Sequence, residues 1–158
     1  NCQSCSGFSL MYCYAILIER NGNQKKIGDR LILYLSERKI FAKYRIFGKI
    51  VVLESKTDLK QTISDDIIMY RSALSSSKKE DIYEKIRYLI GREQRTKKFA
   101  IRVSRKGTHH YSSTELARTV AGAVFDEWPN IKVDLNSPEL EIFVQIINNM
   151  SVVYLKHS

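Results

Sequence analysis

From Phe99 to Leu155 the apolar residues change their spacing twice, and this succession restricts the fold more than any other feature of the chain. Phe99, Ile101 and Val103 alternate with Ala100, Arg102 and Ser104, the period of two that a strand with one buried face requires. Ser112-x-x-Glu115 reads as a capping box, and Leu116, Val120 and Val124 then recur every fourth residue. That makes one buried stripe on a helix stopping near Trp128-Pro129. Residues 131–135 and 140–147 return to strand composition around the turn Asn136-Ser137-Pro138, and 151–155 supply a last strand. Just upstream, Ser77 with Glu80 predicts another capping box, opening a helix with Ile82, Ile86, Leu89 and Ile90 on one side.

The first half carries its own pattern. Residues 12–19 read as a strand ending at Arg20-Asn21-Gly22-Asn23, and 25–38 as a helix with Ile27, Leu31, Tyr34 and Leu35 on its apolar face. Residues 41–46 and 49–54 form a hairpin around Phe47-Gly48, Asp58 caps a short helix to about residue 65, and 67–74 is a strand. The order βαββαβ is that of a ferredoxin-like unit. With Ser75-Ser76-Ser77 as the joint, the expected class is α+β: a tail over 1–10, a ferredoxin-like domain over 11–75, and an α/β domain over 76–158. Met11 could be an initiator, which would make the first ten residues a remnant.

Charge points to the partner. The 158 residues hold 26 Lys and Arg against 17 Asp and Glu, a net charge of +9, and such an excess favours phosphate-bearing ligands. Between Lys78 and Arg118 lie twelve basic residues and five acidic ones, so the surplus is concentrated in a quarter of the chain.

Other classes find less support. No run reaches the roughly 18 apolar residues of a membrane helix, and the start lacks the basic-then-apolar pattern of a secretory signal, so a cytoplasmic location is expected. Cys2, Cys5 and Cys13 are too few and too close for a disulfide framework. Cys2-x-x-Cys5 has no second pair, and the nearest histidine is His109, so no metal site is expected. Asp65-Asp66 and Asp126-Glu127 have no neighbouring histidine or nucleophile to suggest a catalytic pair.

The blocks Phe99-Ala-Ile-Arg-Val-Ser-Arg-Lys-Gly, Tyr111-Ser-Ser-Thr-Glu-Leu-Ala-Arg, and Lys132-Val-Asp-Leu-Asn-Ser-Pro-Glu-Leu-Glu-Ile-Phe-Val resemble, in that order, the THUMP domain, with the likeness running from about Lys79 to Tyr154. The resemblance implies a tRNA-binding module of the kind found in 4-thiouridine synthetases, tRNA methyltransferases and the small adaptor of tRNA cytidine acetylation. In the synthetases the module holds the acceptor 3′ end. The chain shows neither G-x-G-x-x-G nor a phosphate loop, so no cofactor and no catalytic activity are expected of it. The layout resembles the adaptor, with tRNA and a modifying enzyme, such as a cytidine acetyltransferase, as partners. The alternatives are the N-terminal part of a tRNA-modifying enzyme, or a ferredoxin-like sensor or scaffold.

Arg102, Arg105 and Lys106 stand where a strand enters a Gly107 loop ahead of a helix start, a setting suited to phosphate. Arg95, Lys97 and Lys98 precede the same strand, and Arg118 lies one and a half turns into the helix. Ser112 and Ser113 could contact an anion or serve only as caps. His109 and His110, beside Tyr111, could stack on unpaired bases. Asp134, Pro138 and Trp128 are read as structural.

Overall fold

The computed structural model describes residues 12–18, 23–59 and 67–158. The tail, Cys2, Cys5, the turn at 20–22, the helix expected beyond Asp58 and the Asp65-Asp66 pair fall outside that range. Two compact units divide between Arg71 and Ser72.

In the first unit, β1 (Tyr12–Leu17), β2 (Ala42–Phe47) and β3 (Ile50–Ser55) form an antiparallel sheet in the order β2-β3-β1, and α1 (Gln24–Glu37) covers one face. Alternation in β1 and β3 turns Tyr14, Ile16, Val51 and Leu53 to that face, where they meet Leu31 and Leu35 of the helix. Asn23 caps α1 by accepting the Lys26 N–H at 3.0 Å. The helix ends in a Schellman motif: Lys39 takes φ +61°, its N–H reaches the Ser36 carbonyl, and the Ile40 N–H reaches that of Leu35, both at 2.9 Å. The hairpin turn is Gly48-Lys49, one residue later than expected, and Gly48 takes φ +58°. Asp58 accepts the Tyr14 hydroxyl at 2.7 Å, and that hydroxyl accepts the Leu59 N–H at 2.9 Å. Burial, then the Asp58 carboxylate, pushes the Tyr14 phenol well above the usual tyrosine range.

The second unit contains the end of β4 (Met69–Ser76), then α2 (Lys79–Ile90), β5 (Lys98–Lys106), α3 (Ser113–Glu127), β6 (Lys132–Val133), β7 (Leu140–Ile147) and β8 (Met150–His157). The strand order is β4-β8-β7-β5-β6, with β5 parallel to both of its neighbours and the other pairs antiparallel. Ile82, Ile86 and Leu89 of α2 and Leu116, Val120 and Val124 of α3 pack on Phe99, Ile142, Val144 and Val153 of the sheet. Each such side chain contributes about 1.5–3 kcal/mol by leaving water.

Three expectations change here. The strand expected to end at residue 74 runs through Ser76, and Ser75 pairs with Ser151, so these serines belong to the sheet. The box between Ser77 and Glu80 does not form. Ser77 donates its N–H to the Asn149 carbonyl at 2.9 Å and accepts the Tyr111 hydroxyl, which leaves Lys78 at the helix boundary without a side-chain cap. The Ser76 hydroxyl instead accepts the Lys78 N–H at 3.1 Å and donates to Asp81. Finally, only Lys132 and Val133 pair within the expected strand 131–135. The Asp134 carboxylate accepts the N–H groups of Ser137 (2.9 Å) and Asn136 (3.0 Å) and turns the chain away. The box at Ser112 and the stripe behind it form as expected, with the Ser112 hydroxyl accepting the Glu115 N–H at 3.0 Å.

Candidate nucleic-acid interface

β5 decides where each cation goes. Side chains alternate along a strand, so Phe99, Ile101 and Val103 enter the core, Arg105 lies on their side, and Lys98, Arg102, Ser104 and Lys106 occupy the opposite face. Arg102, Arg105 and Lys106 therefore do not form one group, because odd spacing separates Arg105 from the other two. Arg102 is also engaged: its Nε donates to Glu141 Oε2 at 3.0 Å and its Nη2 to the Leu135 carbonyl at 2.9 Å. Lys98 lies 3.7 Å from Asp134. Lys106 is exposed and has no ion-pair partner among the described residues.

At the finishing end of β5 the chain turns through Gly107, at φ +104°, against the β7–β8 hairpin turn Asn148-Asn149. A Cβ on Gly107 would lie 2.6 Å from Asn148 Oδ1 and 3.2 Å from its Cα, so only glycine permits this approach. Asn148, at φ +54°, donates its N–H to the Lys106 carbonyl at 2.9 Å. His109 closes the corner. Its Nε2 lies 2.8 Å from the Asn148 carbonyl and its Nδ1 3.0 Å from Arg105 Nη1. A carbonyl can only accept and a guanidinium can only donate, so the ring is the neutral tautomer with its proton on Nε2. One face of His109 stacks on Tyr111, with centroids 5.4 Å apart. Tyr111 donates its hydroxyl to Ser77, and burial raises its pKa. His109 and Tyr111 are thus partnered with the protein, while His110 is exposed.

The helix starts at this end carry their own anions. Glu115 in the first turn of α3 pairs with Lys79 at 2.9 Å, and the Lys79 hydrogen bond holds the Glu115 carboxyl below its ordinary range. Glu80 and Asp81 occupy the first turn of α2. Ser112 is spent as a cap, Ser113 is half-buried, and Arg118 is exposed on α3.

The basic surplus divides unevenly among the elements. α2 carries Lys79, Lys85 and Arg87 against Glu80, Asp81 and Glu84, and α3 carries Arg118 against Glu115, Asp126 and Glu127. β5 carries Lys98, Arg102, Arg105 and Lys106 against no acid. Arg95 and Lys97, both exposed, lie before its start. Most candidate residues therefore fall at the two ends of one strand, about 26 Å apart at roughly 3.3 Å per residue, with Arg102 between them and Arg118 on α3. Lys132 is a cation that sequence reasoning missed. Parallel pairing places it beside Lys98 on the same face, and nothing local in the sequence reports that pairing.

Cys13 is half-buried. Among the described residues no group of three or more His, Cys, Asp or Glu could hold a metal ion, and no helix is long and apolar enough to cross a membrane.

Residues 76–156 match the THUMP domain, just over half of the chain. The tRNA sulfurtransferase of Thermoplasma volcanium is 25% identical over 140 residues, covering 87% of this chain and 29% of the relative. A second such relative is covered over only 14% of its length, so the chain spans less than a third of either protein. The crystal structure of PH1313 from Pyrococcus horikoshii superposes on 92% of this chain and 54% of its own, with a TM-score of 0.69 at 13% identity. A 4-thiouridine synthetase solved with RNA and ATP superposes on 92% of this chain and 41% of its own, with a TM-score of 0.64 at 11% identity. At such identities the likeness shows a shared fold, an α+β arrangement in which the βαββ-type part precedes the α/β part.

Proposed function

The chain belongs to the THUMP domain family, and from that premise we propose that it is the tRNA-binding region of a tRNA-modifying enzyme, of the sulfurtransferase type that makes 4-thiouridine. The observation that carries this reading is β5, which holds four cations and no acid inside the stretch matching the family. Cations on a strand are held at fixed spacing, and phosphate contacts made from them position RNA without requiring a particular base sequence. The named relative is a tRNA sulfurtransferase, and one of the structures with the same fold was solved with RNA. We assign the chain the holding of tRNA at its acceptor 3′ end, with the chemistry performed by groups outside it. The adaptor role in cytidine acetylation is the weaker reading, because the relatives named above are themselves modifying enzymes.

A titration of this chain with a tRNA transcript, followed by fluorescence anisotropy, tests the reading. Binding is expected in the micromolar range or weaker, falling steeply between 50 and 200 mM salt as the free energy gained by releasing counterions shrinks. A tRNA lacking its unpaired 3′ end should bind more weakly. Affinity indifferent to salt would count against tRNA binding. Reading the coding sequence on from Ser158 separates the two versions. Continuation into a nucleotide-binding domain supports the enzyme, and a stop supports the adaptor.

A further inference from the structure

We propose that the RNA backbone runs along the face of the second unit's sheet that α2 and α3 do not cover, beside β5 from Lys98 and Lys132 to Lys106, and not across the two helices. The inference rests on the tRNA-binding reading and adds the surface and the path.

Three observations carry it. The first is charge by element: the helices together carry more acid than base, whereas β5 is purely basic. The second is direction. Alternation sends Lys98, Arg102 and Lys106 to the uncovered face, and the register sets Lys132 beside Lys98. Lys98, Lys106 and Lys132 are exposed, and the ammonium groups of Lys106 and Lys132 have no ion-pair partner among the described residues. The third concerns the acids on this face. Glu141 is engaged by Arg102, Glu139 accepts the Lys97 N–H at 2.7 Å, and Asp134 lies at 3.7 Å from Lys98 with its carboxylate already accepting two backbone N–H groups. What remains is a row of cations about 26 Å long whose two ends, Lys132 and Lys106, have no ion-pair partner among the described residues.

The row fits a polyanion backbone better than an acidic protein. A stable protein interface needs a desolvated apolar or aromatic centre. The residues between these cations are the buried Ala100 and the small Ser104. The neighbouring Phe143 and Tyr154 rings stack on each other at 4.9 Å, and Tyr154 is buried. Among the described residues the rings on this face are spent on each other, so the surface positions RNA through phosphates more than through stacked bases.

The test compares two variants of equal charge in the whole chain: Lys98→Gln, Lys106→Gln, Lys132→Gln on the sheet face, and Lys78→Gln, Lys85→Gln, Arg92→Gln on and beside α2. All six residues are exposed, and Arg102 is left alone because of its internal bonds. With tRNA at one fixed salt, the sheet variant should lose about tenfold or more in affinity, and its salt slope should fall by about three, near one per phosphate contact. The helix variant should stay within about twofold. A third variant, Lys98→Arg, Lys106→Arg, Lys132→Arg, should keep the slope of the unaltered chain, which a surface misfolded by substitution at these positions would not do. Equal losses from the two Gln variants, or a larger loss from the helix side, would overturn the path while leaving tRNA binding intact. Absence of salt-dependent binding by the unaltered chain would instead overturn the tRNA reading, and the path with it.

Discussion

Gly107→Ala should destabilise the second unit by about 2–4 kcal/mol, although it adds one methyl group at an exposed turn. About 1–2 kcal/mol comes from forcing an L side chain to φ +104°. The remainder is steric. The new Cβ would stand 2.6 Å from Asn148 Oδ1, 3.2 Å from its Cα and 3.3 Å from its N. The amide side chain can rotate away, but the Asn148 backbone is tied to Lys106 and His109 and must be displaced, an overpacking cost of about 1–2 kcal/mol. Trp128, the single tryptophan, lies in this unit's core at 7% exposure, so urea unfolding followed by its fluorescence reports on the correct unit. A double-mutant cycle with Asn148→Gly isolates the side-chain part. In that background the cost should change by less than about 0.5 kcal/mol, because the contacts with the Asn148 backbone and the strain at Gly107 both persist. A cost below about 0.5 kcal/mol in the unaltered background would refute the idea that Gly107 is dictated by its contact with Asn148.

Lys39→Gly should stabilise the first unit by about 0.5–1 kcal/mol, because the αL residue closing α1 is a lysine; slower hydrogen exchange in the last turn of α1 checks it. Arg102→Ala should cost about 1–2 kcal/mol by leaving Glu141 and the Leu135 carbonyl without their donor, measured by the same Trp128 unfolding. The Asp134 carboxyl is held below its ordinary range by the N–H of Ser137 and then of Asn136. A depressed folded pKa gives stability that is present above the unfolded carboxylate value and lost as pH falls through the lowered one. The second unit should therefore weaken below about pH 4, less so in Asp134→Ala, and carboxyl NMR should show Asp134 titrating lower than a model aspartate.

Much of the fold was legible because its signals are local. The stripe Leu116, Val120, Val124 and the cap at Ser112 need only neighbours four residues away, and both formed. Ser77 misled because its two backbone groups are claimed by Asn149 and Tyr111, 72 and 34 residues along the chain. The separation of Arg105 from Arg102 and Lys106 was already implicit in strand alternation, and grouping the three by proximity in sequence concealed it. Lys132 and the bridging role of His109 depend on a parallel pairing and on a partner 39 residues away, which no periodicity encodes. The family blocks were readable from Lys79 to Tyr154, close to the matched 76–156.

The Asn148-Asn149 turn also sets where this chain can be lengthened. Two residues bind three separate segments at once: Asn149 holds Ser77 ahead of α2, while Asn148 holds Lys106 at the end of β5 and His109 in the loop before α3. One inserted residue would move both carbonyls off their donors together. Exposed stretches of backbone are ordinarily the tolerant places for a peptide tag or a circular-permutation cut. The segment between α2 and β5, exposed at Gly91, Arg92, Gln94 and Arg95, suits such a graft, whereas the hairpin turn, though equally on the surface, should reject it.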